Sequence, residues 1–469
     1  MQYSSIDFDF NDSRLESRAN FILSRLNQRP GAHFPKAFAC YSELEGFYRF
    51  VNNSKVTPES LLNSVIHDSL NRAVLDTELL VIHDTTEVCP HAKAKNISEF
   101  QPLTLNKQRG FLAHLSLLVE PCVTNQANGK ILGAVGLELL TRDPKRIKKR
   151  IKKVTEPRES ERWTKQALKT DELFKHKNSV IHVMDRESDA YDIIFKLQQT
   201  NTRFVIRLTH NRCLLTGDGF KRGGLKLFDA LREQPPKTTR SVQLSARKAH
   251  ERQRKQKAHP PRAARTAKLE ISAMTVVLKR GDRFPLSLGY PPGVKVNVVR
   301  VFEPHPPDGE VPVEWYLCTS DKIDSAEDLE KIVNIYKSRW IIEEFFKALK
   351  TGCNLERRLL ESAEAWYRIL ILFLPIARNL YNLKLLSEHT TLDESCDIFS
   401  ITQILVLKHL AKMQSKPMSS LGDAKRELAR LGGHISYVGP PGWLVLSRGY
   451  LELVSLEYGW IAARTAICD

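Results

Sequence analysis

The feature that most constrains this chain is a change of hydrophobic period at Leu79. Up to about Leu75 apolar residues recur at helical spacing, in SRLESRANFILSRLNQ, SELEGFYRFVNNSKV and PESLLNSVIHDSLNRAVLD. From Leu79 three β-branched runs follow, LLVIHDTTEV, FLAHLSLLVE and ILGAVGLELL, which read as consecutive strands of an antiparallel meander. A helix-like segment, ERWTKQALKTDELF, leads into SVIHVMDRESDAYDIIFKL, an apolar strand that enters a helix across the turn Asp185–Asp189. RFVIRLTH is a further strand.

Between about 211 and 312 the pattern changes to short strands (VQLSA, LEISAMTVVLKR, VKVNVVRVFEP) broken by Pro and Gly, which reads as a β-rich insertion. VEWYLCTS restores a strand, and Ala326 to Lys350 reads as one long helix. After Glu361 the chain is mostly helical. The parts assemble into an α/β protein, a ribonuclease H-like core with a β-rich insertion, flanked by helical N- and C-terminal domains. The expected boundaries are 1–72, 73–365 and 366–469. A length of 469 residues suits several domains rather than one. A fold of this kind does not specify a function.

Composition narrows the partner. Lys and Arg number 71 against 54 Asp and Glu, a net charge of +17, in a chain that is 42% hydrophobic. That describes a globular protein attracted to a polyanion, and excludes a mainly disordered chain. The most apolar stretch, Ile369 to Ala377, is interrupted by Pro375, flanked by Arg368 and Arg378, and far short of the ~20 residues of a membrane span. MQYSSIDFDFNDSR lacks a signal-peptide pattern. The eight cysteines are scattered without a CxxC, as expected of reduced thiols in a cytoplasm and not of a zinc site.

Phosphodiester chemistry on such a layer needs two divalent ions ~3.5–4 Å apart held by carboxylates. Hard Mg²⁺ takes oxygen ligands and keeps several waters, so a few acids suffice. Asp84 closes LLVIHD and Asp185 closes SVIHVMD, each at the carboxyl end of an apolar strand. An acid there can also cap the next turn, and for either one alone that alternative stays open. The third candidate, Glu343, shares a helical stripe with Tyr336, Arg339 and Lys350. A solvated face with an Arg339–Glu343 ion pair would place the same residues there. Glu344 points roughly 100° away, towards a surface pair with Lys347.

The helix carries the pattern Y-x2-R-x3-E-x6-K, and with it the chain resembles the DDE transposases of bacterial insertion sequences in family four. Asp84-Thr85-Thr86 is similar to the first-acid motif of that family, and Asp185 to Tyr191 to the second. SELEGFYRF, RFVIRLTH, PVEWYLCTS, SRWIIEEFFKALKTG and LARLGGH also look like members of the group and occur in its order. The resemblance covers most of the chain. It implies a metal-binding and catalytic triad of Asp84, Asp185 and Glu343, loaded with two Mg²⁺ ions for which Mn²⁺ substitutes. It implies contacts to the transposon end from Tyr336, Arg339 and Lys350, a flipped-base stack on Trp315, and DNA contacts from Arg207 and Arg186. Tyr48 and Arg49, with Phe50, match a patch of the helical end-binding domain. A family histidine is replaced here by Tyr191.

The implied activity is cut-and-paste transposition of double-stranded DNA by a homodimer, through end cleavage, an end hairpin and strand transfer, in a bacterial cytoplasm beside the nucleoid. A DNA-binding protein without catalysis, acting as an inhibitor or architectural factor, is the alternative, as is a ribonuclease H-like nuclease without strand transfer. Two basic runs, Arg247–Lys268 and Lys145–Lys153, suit phosphate contacts, and a solvated loop or face equally. The C-terminal Trp443, Leu444, Tyr450, Leu451, Leu453 and Trp460 suit either a dimer interface or an ordinary core.

Overall fold

The computed structural model describes residues 5–74, 77–91, 99–103, 108–121, 129–141, 159–174, 180–215, 224–247, 260–282, 284, 286–386, 392, 398–435 and 439–468. Lys145–Lys153 and the central part of the basic run, 248–259, lie outside them.

The chain opens with helices α1 (Ser13–Gln28), α2 (Phe34–Ala37), α3 (Tyr41–Val51) and α4 (Pro58–Asn71). α4 starts where a helix start is cheapest. Thr57 caps it by accepting from the Ser60 N–H, and Pro58 occupies the first turn, where its missing donor costs nothing. Strands β1 (Leu79–Val88), β2 (Gln101–Pro102), β3 (Arg109–Glu120) and β4 (Lys130–Leu140) follow. Next come α5 (Glu161–Leu173), β5 (Val180–Met184), α6 (Tyr191–Gln199), β6 (Phe204–Arg207) and α7 (Leu227–Arg232). The insertion contributes β7 (Thr238–Leu244), β8 (Arg265–Lys279) and β9 (Gly293–Phe302), and VEWYLCTS forms β10 (Glu314–Thr319). The remainder is helical: α8 (Ala326–Lys337), α9 (Trp340–Lys347), α10 (Ala363–Leu385), α11 (Ile401–Met413), α12 (Leu421–Leu431) and α13 (Trp443–Cys468).

The single helix expected from Ala326 to Lys350 is not what forms. α8 ends at Lys337, the chain turns at Ser338–Arg339, α9 restarts at Trp340, and a π-helical turn occupies Ala348–Gly352. Ser338 supplies a physical cause: its hydroxyl donates back to the Asn334 carbonyl at 3.2 Å, a bond that bends helices.

Two compact units emerge, one from 1–77, 84–150 and 340–469, the other from 78–83 and 151–339. In the first unit β3 adjoins β1 and pairs antiparallel with β4 and β2. Its central helix is α10, which packs on α1, α3, α4 and β4 and is buried on nearly every face. The stretch that resembles a membrane span is therefore a core helix, and among the described residues no helix is long and apolar enough to cross a membrane. Its two arginines bond inside this core, Arg368 to the carbonyls of Val51 and Val56 and Arg378 to Asp68 at 3.0 Å. At the C-terminus Trp443, Tyr450 and Leu453 are core residues, while Leu456, Tyr458 and Ile461 are exposed.

The second unit is a large mixed sheet ordered β1-β5-β6-β10-β9-β8-β7. The first half of β1, β5 and β6 run parallel, and the remaining pairs are antiparallel. The strands of the insertion thus continue the same sheet through β10. β7 and β8 form a long ribbon with an isolated bridge between Arg247 and Arg262 beyond it, and the basic run enters β8 at Arg265. The core of this unit gathers Trp163, Leu197, Phe204, Val298 and Tyr316. Tyr191 belongs to it as well. Its ring lies 5.6 Å from Phe284 and its hydroxyl donates to the Pro291 carbonyl at 2.8 Å, which accounts for an aromatic at that position.

Candidate active site

In the second unit Asp185 and Arg207 stand at the carboxyl ends of the parallel strands β5 and β6, the edge where open α/β sheets place their ligands. β5 is buried throughout and stops at Met184 because the next backbone is used differently. Asp185 caps a 3₁₀ turn at Arg186–Ser188, its carboxylate accepting from the Glu187 N–H at 2.8 Å. The cap expected of an acid at this place is present; it occupies one oxygen, and the side chain is only partly buried. Arg186 is exposed, and Glu187 pairs with Arg162 at 2.9 Å.

Asp189 is fully buried and locks this turn. It accepts from the N–H groups of Thr209 at 2.6 Å and His210 at 2.9 Å, and pairs with Arg212. The segment that follows β6 is thereby bonded to the turn that follows β5.

β6 and β10 pair antiparallel, Arg207 opposite Leu317, which brings the start of β10 to the end of β6. The Arg207 guanidinium lies 5.8 Å from the centroid of the Trp315 ring, within cation–π range. Trp315 meets Tyr336 edge to face, centroids 5.6 Å apart. Tyr336 is buried rather than on a solvated stripe, and burial raises its phenol above the usual 10.0. Arg207, which hydrogen-bonds the side chain, and Arg339 pull it down, while Asp185 raises it. One carboxylate, two guanidiniums and two aromatic rings thus converge in this unit.

The first unit holds Asp84, Glu343 and Lys350. Asp84 accepts from the Thr85 N–H at 2.7 Å. Glu343 sits in the first turn of α9, which Ile341, Ile342, Phe345 and Phe346 bury along its other face. Glu344 pairs with Lys347 at 2.6 Å, as its angular position suggests, and with Lys384 at 2.8 Å. Lys350 rides on the π-turn. Its ammonium donates to the Glu87 carbonyl and lies 3.4 Å from Glu356, which also accepts from the Cys89 N–H at 3.0 Å. π-turns recur at functional sites. In the N-terminal helices Phe50 is core, Tyr48 packs edge-on to Phe34, and the exposed Arg49 pairs with Glu45 at 2.5 Å.

Among the described residues no three Asp, Glu, His or Cys side chains are gathered closely enough to cage an ion unaided. A hard divalent cation does not require such a cage, because it takes one or two carboxylates and retains waters. Partly buried carboxylates oriented by backbone N–H groups, as Asp84 and Asp185 are, fit that donor set.

Sequence reasoning missed Glu356 and three buried histidines, His83, His114 and His182, each inside an apolar strand. Their signal was visible as a lone histidine in each of LLVIHD, FLAHLS and SVIHVM.

Residues 155–380 match the sequence-family model described as a transposase DDE domain, and residues 4–56 match that of a transposase DNA-binding domain. Asp185, Arg207, Trp315, Tyr336, Arg339, Glu343 and Lys350 fall within the first match, Tyr48 and Arg49 within the second, and Asp84 outside both. The chain carries the transposase DNA-binding match first and the transposase DDE match after it, and together they support a DDE transposase.

Proposed function

We propose that the protein is a cut-and-paste DNA transposase of the insertion-sequence family-four type, with a ribonuclease H-like core. The observation that carries this reading is the convergence of Asp185, Arg207, Trp315, Tyr336 and Arg339 at the carboxyl edge of one sheet. The strand register supports it too. β1 and β5 pair in parallel from Leu79 with Val180 to Ile82 with Val183, so Asp185 follows directly on a strand of a parallel pair.

In this reading residues 1–72 bind the inverted repeats, 73–365 form the catalytic domain, and 366–469 join two copies in the synaptic complex. The exposed Leu456, Tyr458 and Ile461 favour the last role. Asp84, Asp185 and Glu343 hold two Mg²⁺ ions, for which Mn²⁺ substitutes. Such ions, when bound, stabilise the attacking and leaving oxygens of an in-line displacement. Arg207, Arg339, Arg186 and Lys350 hold phosphates, Tyr48 and Arg49 contact the repeat, and the described ends of the basic ribbon add salt-dependent affinity. Cleavage frees a 3′ hydroxyl, which attacks the opposite strand to give a hairpin and is finally joined to target DNA in the bacterial cytoplasm.

Trp315 is the platform for the base displaced in the hairpin, since stacking returns ~1–3 kcal/mol of the cost of unstacking. Trp315→Ala is expected to leave the first nick unchanged and to slow hairpin formation roughly 10–100-fold, from the same stacking energy. An unchanged hairpin yield on a denaturing gel would remove this role. The test of the whole reading is a gel assay on duplexes bearing the flanking inverted repeats, with and without Mg²⁺. Binding in both and cutting with joining only in Mg²⁺ are expected. Binding without cutting would point to a catalytically silent protein, and cutting without joining to a nuclease.

A further inference from the structure

The residues on either side of Asp84 are both committed to buried histidines, and no role described so far uses them. Along a strand successive side chains alternate, so His83 and Thr85 lie on the face of β1 opposite Asp84. In the second unit the fully buried His83 places Nε2 2.7 Å from Nδ1 of the fully buried His182. His182 Nε2 lies 2.8 Å from Oδ1 of Asp171, whose other oxygen accepts from the Thr202 hydroxyl. A carboxylate only accepts, so His182 donates through Nε2–H, which leaves its Nδ1 to bond His83 Nε2. A bonded chain therefore runs from β1 through β5 to α5. In the first unit the Thr85 hydroxyl lies 2.9 Å from Nδ1 of His114, which is fully buried on β3 and faces Glu138 across the β3–β4 ladder.

Three histidines inside apolar strands are costly where Val or Ile would serve the sheet, because each buried polar atom must be matched. In the His83–His182–Asp171 chain such matching gives a single geometry, and at His114 the Thr85 hydroxyl fixes one ring nitrogen. Ligand side chains must be held within about 0.5 Å to bind an ion well. We propose that His182 and His114 are positioning residues, two clamps that grip His83 and Thr85 and thereby fix the backbone that aims the Asp84 carboxylate. This rests on the assignment of Asp84 as an ion-binding acid.

The test uses Mn²⁺ binding to the DNA-free, full-length protein, read from the loss of the free Mn²⁺ electron paramagnetic resonance signal. Thr85→Val keeps shape and removes the hydroxyl. It is expected to weaken Mn²⁺ binding about 10–100-fold, the usual cost of losing an outer partner of a ligand. Metal-free binding to end DNA should stay that of the parent, while the melting temperature should fall by a few degrees as the buried His114 loses its hydroxyl partner. Thr85→Ser, which retains the hydroxyl, should restore Mn²⁺ binding. Asp171→Ala, one step further out on a helix, should weaken it in the same direction by less. Parent-like Mn²⁺ binding by Thr85→Val would overturn the His114 clamp, and parent-like binding by Asp171→Ala the His182 clamp. A Thr85→Val effect of the same size in an Asp84→Ala background would overturn routing through Asp84. If Asp84→Ala alone binds Mn²⁺ as the parent does, the assignment of Asp84 fails and the clamps fail with it, whereas a weakened Asp84→Ala beside an unchanged Thr85→Val leaves the assignment standing.

Discussion

Asp185→Ala is expected to abolish cleavage of transposon-end DNA while leaving binding to that DNA intact. The loss should exceed ~10³-fold, because even one preorganised donor at a reacting centre costs ~10²–10³ in kcat, and an ion-binding acid serves more than one oxygen. Binding should survive because Arg207 and Trp315 are held by β6 and β10 and Arg339 by the turn that follows α8, none of which is capped by Asp185. The same outcome is expected for Asp84→Ala and Glu343→Ala. Nicking retained by any of the three in Mg²⁺, on a denaturing gel, would remove that residue from the triad. Asp185→Ala also loses the cap on the 3₁₀ turn, which costs ~0.5–2 kcal/mol, so its melting curve should shift only slightly.

The second large effect is on stability and comes from a residue four positions away. Asp189→Ala is expected to destabilise the protein by ~3–5 kcal/mol, the cost of stranding a buried charge by removing its partner. Arg212 is the stranded group, and the N–H groups of Thr209 and His210 lose their acceptor in the same step. In thermal unfolding followed by circular dichroism this amounts to a shift on the order of 10 °C. Adding Arg212→Ala should recover part of the loss, because the uncompensated cation is then gone. A melting temperature within about 2 °C of the parent for Asp189→Ala would show that the network carries little of the fold. These two outcomes would separate neighbouring acids of one motif, with the loss at Asp185 read in cleavage and the loss at Asp189 read in stability.

Sequence periodicity located most strands and helices, because an apolar strand such as SVIHVM and an amphipathic helix such as ERWTKQALKTDEL each declare their period locally. It also found Asp185 at the end of its strand, whereas Asp84, expected to close a strand, lies inside β1, which runs on to Val88 because the β-branched and polar residues after it continue the extended pairing. It could not find the break at Ser338–Arg339, since the apolar spacing of Ile332, Val333, Ile341 and Phe345 continues across it while the cause is one hydroxyl bonding backwards. The burial of Tyr336 was hidden for a related reason. Its stripe looks solvated until Trp315 and Arg207 arrive from other strands to cover it. The bond from Lys350 to the Glu87 carbonyl spans 263 positions and is invisible to any local pattern. The histidines were visible as letters, but their pairing needed the β1–β5 register.

The division of the chain into its two units also sets a timetable for synthesis. The unit built on α10 draws on residues 1–77, 84–150 and 340–469, so its first helices leave the ribosome long before the segment they pack against exists. At ~5–20 residues per second the wait from residue 77 to the end is roughly 20–80 s. The sheet of the other unit is finished by residue 339, before that last segment is made. A nascent chain therefore carries its DNA-binding stretch, residues 4–56, through most of translation without the helix that completes its support. Any product that terminates early is left with an unclosed core and so becomes a substrate for proteolysis.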